Sequence, residues 1–199
     1  MLRKIIIALA VLVILPTALQ AGEIYRSIND IVKITDHYMD LKTFAYYVTE
    51  KQRWSLIISN DVSVPRKEII GDTVKEILDN FCKESEFGWR FYKDCIYIAN
   101  ERELATFFAQ LPALERQLPD GIKTATYSGY FKNVELSMLC MFLSSISGTQ
   151  IRVVNGFDTC IMMRVNEMPW KHVLLAVVYL NRYKLNISDY SILIMPEHF

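Results

Sequence analysis

The chain is predicted to be α+β, built as two tandem small domains, each with two helices flanked by short mixed β-sheets in the order β-α-β-β-α-β-β. Three observations predict this. Val74, Ile77, Leu78, Phe81 and Cys82 recur as Trp170, Val173, Leu174, Val177 and Val178 at a constant offset of 96. Both sets follow i, i+3, i+4, i+7, i+8, one face of a helix. Leu41, Phe44, Ala45 and Val48 recur likewise as Leu136, Leu139, Cys140 and Leu143 at an offset of 95. Each second helix is then followed by two short alternating runs with a polar break, "GWRFYKDCIYI" and "RYKLNISDYSILI". Self-similarity at a fixed period is the signature of a duplication.

Taken in order, the chain starts with Arg3 and Lys4 before the apolar run Ile5 to Leu15, then Pro16 and small residues to Ala21-Gly22. That is the order of a secretory signal peptide, residues 1–21, with cleavage expected after Ala21. Leu19 is larger than the residue usual three positions before a cut, and an uncleaved signal anchor is the alternative. The run falls short of the roughly 20 apolar residues that span a bilayer. No cysteine follows it directly, so no lipid anchor is expected. The first copy occupies 22–99. Its strands are expected near Asp30 to Thr35, Ser55 to Ser59 and Arg66 to Ile70, and its helices at Leu41 to Lys51 and, capped by Asp72, Asp72 to Glu84. A hairpin follows to Ala99, with Lys-Asp at its turn. Residues 100–121 are expected to be a linker whose short helix breaks at Pro112. The second copy, 122–199, has strands near Ala125 to Phe131, Gln150 to Val154 and Cys160 to Val165. Its helices are expected at Val134 to Ile146 and Pro169 to Leu180, where proline suits the first helical position, and a hairpin runs from Tyr183 to Met195.

Composition narrows the function. Twenty-two basic and 22 acidic residues balance to a formal charge of +0, which argues against a nucleic-acid surface. Hydrophobic content of 52% and aromatic content of 12% suffice for a core. His37, His172 and His198 lie far apart without ligand spacing, so no metal site and no cofactor is expected. His172 flanks the buried stripe and is read as a solvated helical histidine. Ser144, Ser145 and Ser147 near Gly148 lack a Gly-x-Ser-x-Gly elbow and read as a helix end running into a glycine cap. Glu23, Asp30, Asp36 and Asp40 are assigned to solvent. Trp170 opens a core stripe, whereas Trp54 and Trp89 suit an interface or the core equally. No catalytic residue is expected, and the chain is read as not an enzyme. Cys82 and Cys140 fall on apolar stripes and point inward, while Cys95 and Cys160 are expected to face outward, so no bridge within a copy is expected.

The second copy also resembles a known family. "GYFKNVELSMLCMFLSSISGTQIRVV", "CIMMRVNEMPWKHVLLAVV" and "YKLNISDYSILIMP" are similar to the short N-terminal domain (N0-like, STN) shared by secretins and TonB-dependent receptors. The match rests on Asn133-Val134, Leu136, Ser147-Gly148, Asn166, Pro169-Trp170 and Ile192 to Pro196. The first copy matches more loosely, with Gly71-Asp72-Thr73-Val74 in place of the Asn-x-x-Pro-Trp element. The resemblance implies a periplasmic protein–protein interaction module without catalysis, an accessory of a secretion, pilus or uptake complex. Its partner would be a secretin ring, an inner-membrane platform or a receptor regulator, with no membrane span after leader cleavage. No pore or barrel follows in the sequence, so gating and transport are not carried over. A periplasmic small-ligand binder or enzyme using a groove between the copies is the alternative.

Overall fold

The structure, a computed structural model, describes residues 27–118, 125–155, 157–188 and 191–197. Residues 1–21, expected to be a signal peptide, and Glu23, Asp189 and His198 lie outside the described residues. The class is α+β, with five helices among mixed sheets. The first half runs β1 (Tyr38–Met39), α1 (Leu41–Gln52), β2 (Ser55–Ile58), β3 (Lys67–Glu68), α2 (Val74–Cys82), β4 (Phe87–Tyr92) and β5 (Cys95–Asn100). After α3 (Glu101–Gln117) come β6 (Thr126–Glu135), α4 (Leu136–Ser147), β7 (Gln150–Val153), β8 (Cys160–Pro169), α5 (Trp170–Leu180), β9 (Tyr183–Ile187) and β10 (Ser191–Pro196).

Local chemistry sets the boundaries. Asp40 does not simply face solvent: its carboxylate accepts the Thr43 N–H at 2.9 Å and caps α1. The cap of α2 is Thr73 rather than Asp72, in a capping box with Glu76. Gly71 precedes it at φ +127°, where an added Cβ would lie 2.8 Å from the Glu76 Cβ, so glycine is required there. Lys93 and Asp94 turn the β4–β5 hairpin at φ 48° and 54°, both positive as a tight two-residue turn demands. Gly148 ends α4 in the left-handed region at φ 69°. The strand expected at Asp30 to Thr35 is reduced to one bridge, Ile31 to Thr73, and pairing begins at Tyr38.

Pairing repeats along with element order. β2 is parallel to β5 from Ser55 opposite Cys95, and β7 is parallel to β10 from Gln150 opposite Ser191. The positions shift by 150 − 55 = 95 and 191 − 95 = 96, the offsets of the helices. The hairpins β4–β5 and β9–β10 are both antiparallel, as are β1–β3 and β6–β8.

The halves are not held apart by a linker. β2 pairs antiparallel with β8, Leu56 opposite Arg164 and Ile58 opposite Met162, which fuses β4-β5-β2 of the first half to β8-β6 of the second in one five-stranded sheet. The segment expected to break at Pro112 is a 17-residue helix that runs through it. Leu104, Phe107, Leu111, Leu114 and Leu118 form its buried stripe. Pro112 sits on the exposed side, where water can satisfy the carbonyl that the missing N–H leaves unpaired.

This arrangement buries β2 and β5 on both faces. Leu56, Ile58, Ile96 and Ile98 join the core under α1 and α2. Ile57, Cys95, Tyr97 and Ala99 join a second core with α3, α4 and α5. Cys95 is therefore fully buried, not outward. α5 lies at the centre, with nine of its 11 residues buried. Trp170, at 1% exposure, anchors it. Trp170→Ala is expected to destabilise the fold by about 3 to 5 kcal/mol, the range for truncating a buried large aromatic. Denaturant melts should show it. A loss below about 1 kcal/mol would place the ring outside the core.

Candidate functional site

The junction between the halves gathers most of the buried polar groups. Its centre is a three-element clasp. Tyr97 from β5 meets His172 from α5, hydroxyl to Nε2, at 2.7 Å. His172 Nδ1 lies 3.1 Å from a carboxylate oxygen of Glu115 on α3. Burial holds the Tyr97 phenol far above its ordinary range. Burial also draws the His172 imidazole below its usual value, with Glu115 opposing. A neutral ring beside a carboxylate donates from Nδ1, so Nε2 accepts the Tyr97 hydroxyl proton. His172, expected in solvent, is only 4% exposed. Position 172 lies two residues past Trp170, outside the stripe, but α5 is buried on nearly every side by the shared sheet and α3.

Further polar contacts close the joint. The Tyr46 hydroxyl on α1 donates to the Phe131 carbonyl at 2.8 Å, and its ring meets Tyr130 edge-on at 5.3 Å. At the far end the Asn60 N–H donates to the Asn181 side-chain oxygen at 2.8 Å, and the Asn60 amide donates to Thr159 Oγ1 at 2.8 Å. Arg182 pairs with Glu103 on α3 and with Asp61 of the first half.

Above the clasp lies a cleft of about 590 Å³ lined by both halves and α3, including Gln52, Lys93, Tyr97, Glu115, Glu167 and His172. Gln52 is 7% exposed, and neither of its amide atoms has a protein hydrogen-bond partner. Tyr97 and His172 form the floor with their polar atoms already engaged by one another. The pair ties β5 to α5, and Glu115 extends the tie to α3.

The other candidates do not converge. His37 is exposed, on the loop before β1. Ser147 is buried at the end of α4, and its hydroxyl accepts the Thr149 N–H at 3.1 Å. Ser144 Oγ donates to the Cys140 carbonyl and accepts the Ile151 N–H at 2.9 Å. Asp36 is exposed and Asp30 half-buried. Trp54 belongs to the core, its ring 4.8 Å from Phe91. Trp89 is half-buried, with its indole N–H on Asp79 at 3.0 Å. The cysteines are free thiols: Cys82 half-buried, Cys95 and Cys140 buried, Cys160 exposed. Burial pushes the thiols of Cys82 and Cys140 up to about 11 and about 12, which keeps both protonated and unreactive. Among the described residues no three His, Cys, Asp or Glu side chains gather to hold a metal ion. No helix among them is long and apolar enough to cross a membrane.

Sequence reasoning missed Tyr97, Glu115 and Gln52. Tyr97 alternates in phase with Cys95, and Glu115 follows Leu114 on the unrecognised stripe of α3.

The clasp predicts a pH dependence. His172 titrates near 6.5 in the unfolded chain and lower in the fold. Above that range both states bind protons alike. As the pH falls below it, the unfolded chain takes up a proton that the native site refuses, so stability drops on acidification. Glu103, raised by burial, contributes with the opposite sign, so the test is a difference between proteins. His172→Gln keeps an amide in the clasp and removes the titration. The stability advantage of the parent over this variant should shrink from about pH 7.5 to about pH 5.5. A pH-independent difference would contradict the buried neutral imidazole.

Compared with known proteins, the chain matches no family model, no curated protein and no solved structure.

Proposed function

We propose that this chain is a noncatalytic docking component of the cell envelope, exported to the periplasm by its leader and engaged with another protein of a secretion, pilus or uptake system. One observation carries the reading. Among the described residues β7 is an edge strand, paired only with β10. Beside it α4 exposes Met138, Met141 and Phe142, at 43%, 60% and 36%. An open strand edge next to an apolar helical stripe suits an incoming strand, where main-chain hydrogen bonds supply affinity and the apolar side chains supply area. The likeness of the second half to the secretin and receptor N-terminal domain, Asn133 to Pro196, points the same way.

The rival reading is a small-ligand site in the cleft. The unpartnered amide of Gln52 favours it, since a buried amide without a partner costs about 1 to 3 kcal/mol.

A photo-crosslinking side chain placed at Met141 in intact cells tests the docking reading, with exposed Ala105 on α3 as the control position. Met141 should recover a component of a secretion, pilus or uptake complex, and Ala105 should not. Equal yields from both positions, or a catalytic turnover lost on mutating His172, would contradict docking through α4 and β7.

A further inference from the structure

The internal joint is itself a strand-addition interface, and an equivalent of each of its surfaces recurs elsewhere in the chain, on β7 and on β3. The first surface is the β2 edge with α1. Its equivalents at an offset of 95 are the β7 edge with α4, where Ile151 and Val153 stand for Leu56 and Ile58, and Met141 and Phe142 for Tyr46 and Tyr47. Tyr46 lies in the joint, bonded to the Phe131 carbonyl. Met141 has no such cover and is 60% exposed.

The second surface is the β8 edge of the β6–β8 pair. Its equivalent is β3 of the β1–β3 pair, at an offset of 96. The caps Thr73 and Pro169 correspond at that offset. So do the positive-φ residues Gly71 at 127° and Glu167 at 49°. Glu68 then stands for Arg164, Lys67 for Met163 and Arg66 for Met162. Among the described residues β3 pairs only with β1, and exposed Tyr38 and Ile70 lie on or beside this pair at 54% and 61%.

We propose that the occupant of the β7–α4 surface is a second copy of this chain, docked head to tail so that β3 of one copy lies antiparallel to β7 of the next in the register of the β2–β8 joint. The inference rests on the docking reading for its use of that surface, where a second copy competes with the envelope protein for the same edge. Two different surfaces of one chain that pair across copies form a heterologous contact, which propagates rather than closing as a symmetric pair unless the rotation closes a ring.

The register fixes the side-chain oppositions. Ile151 faces Glu68, Arg152 faces Lys67 and Val153 faces Arg66. Like charges directly opposite one another weaken a strand pair. Here the Lys67 ammonium is turned back onto the Asn80 and Phe81 carbonyls at the end of α2, at 2.6 and 3.1 Å. The edge is also guarded, because Ser144 Oγ accepts the outward N–H of Ile151. Pairing is therefore weak and reversible, and it depends on local concentration.

Sedimentation equilibrium of the purified chain tests this with exposed-residue variants, each checked for fold by circular dichroism. The parent should associate reversibly. Arg152→Glu, which sets opposite charges across the register, should strengthen association roughly threefold to tenfold. Met141→Glu blocks one end. Glu68→Pro blocks the other by removing an outward N–H at a position where edge strands accept proline. Each of these should be monomeric alone, and mixed they should form a one-to-one pair through the single intact junction. A parent that stays monomeric at about 0.5 mM, an Arg152→Glu variant no tighter than the parent, or a Glu68→Pro variant that still dimerises alone would overturn the head-to-tail joint. If the parent is monomeric while Met141 still crosslinks to an envelope protein, the second copy is not the occupant and the docking reading stands.

Discussion

The pairing of β2 with β8 is the constraint on which the other features depend. It places three strands of the first half, β4, β5 and β2, beside β8 and β6 of the second and leaves β2 and β5 with a core on each face. A strand buried on both sides must be apolar at every position, and Leu56, Ile57, Ile58, Ile96, Tyr97 and Ile98 satisfy that, all at 0% exposure. The second face needs a cover, which α3 and α5 supply. The polar atoms carried into that layer, the Tyr97 hydroxyl and the His172 ring, need partners and find them in each other and in Glu115.

Much of this was legible in the residues. The repeated helical stripes, the hairpin with Lys93-Asp94 at its turn and the α4 end at Gly148 follow from local periodicity and turn chemistry, which act over a few residues. What was not legible came from contacts between residues far apart in sequence. Cys95 alternates with Ile96 and Ile98, and with one buried face assumed it must point outward; the second face, closed by a helix beginning at Glu101, reverses that. His172 moves from solvent to core for the same reason. The α3 stripe, Leu104, Phe107, Leu111, Leu114 and Leu118, is present at helical spacing, but Pro112 within it reads as a break, and only its exposed position makes it tolerable.

The contrast between the halves bears on the proposed docking role. In the first half the sheet edge and the α1 face are consumed by the joint, with Tyr46 bonded across it. In the second half the corresponding edge and helix face carry Ile151, whose N–H is held by Ser144, Phe142, stacked on Phe131, and Met141, 60% exposed. On the proposed head-to-tail reading, the chain has one filled junction and two edges, β7 and β3, left to pair with other copies. The chemistry of the open ends differs from that of the filled one where it would limit binding: Arg152 takes the place of Ile57, and Ser144 engages the edge N–H. Such substitutions keep an exposed edge from pairing indiscriminately.

The central claim is that the halves form one cooperative unit through β2 and β8. Native-state hydrogen exchange measures it directly, because amides locked in a global core exchange only through complete unfolding, whereas those at a loose contact between separate lobes exchange through local opening. The amides of Leu56, Ile58, Met162 and Arg164 should exchange with the same free energy of opening as those of Ile96 and Ile98 in β5. Opening of the β2–β8 amides at a free energy several kcal/mol below that of β5 would show two lobes that merely touch.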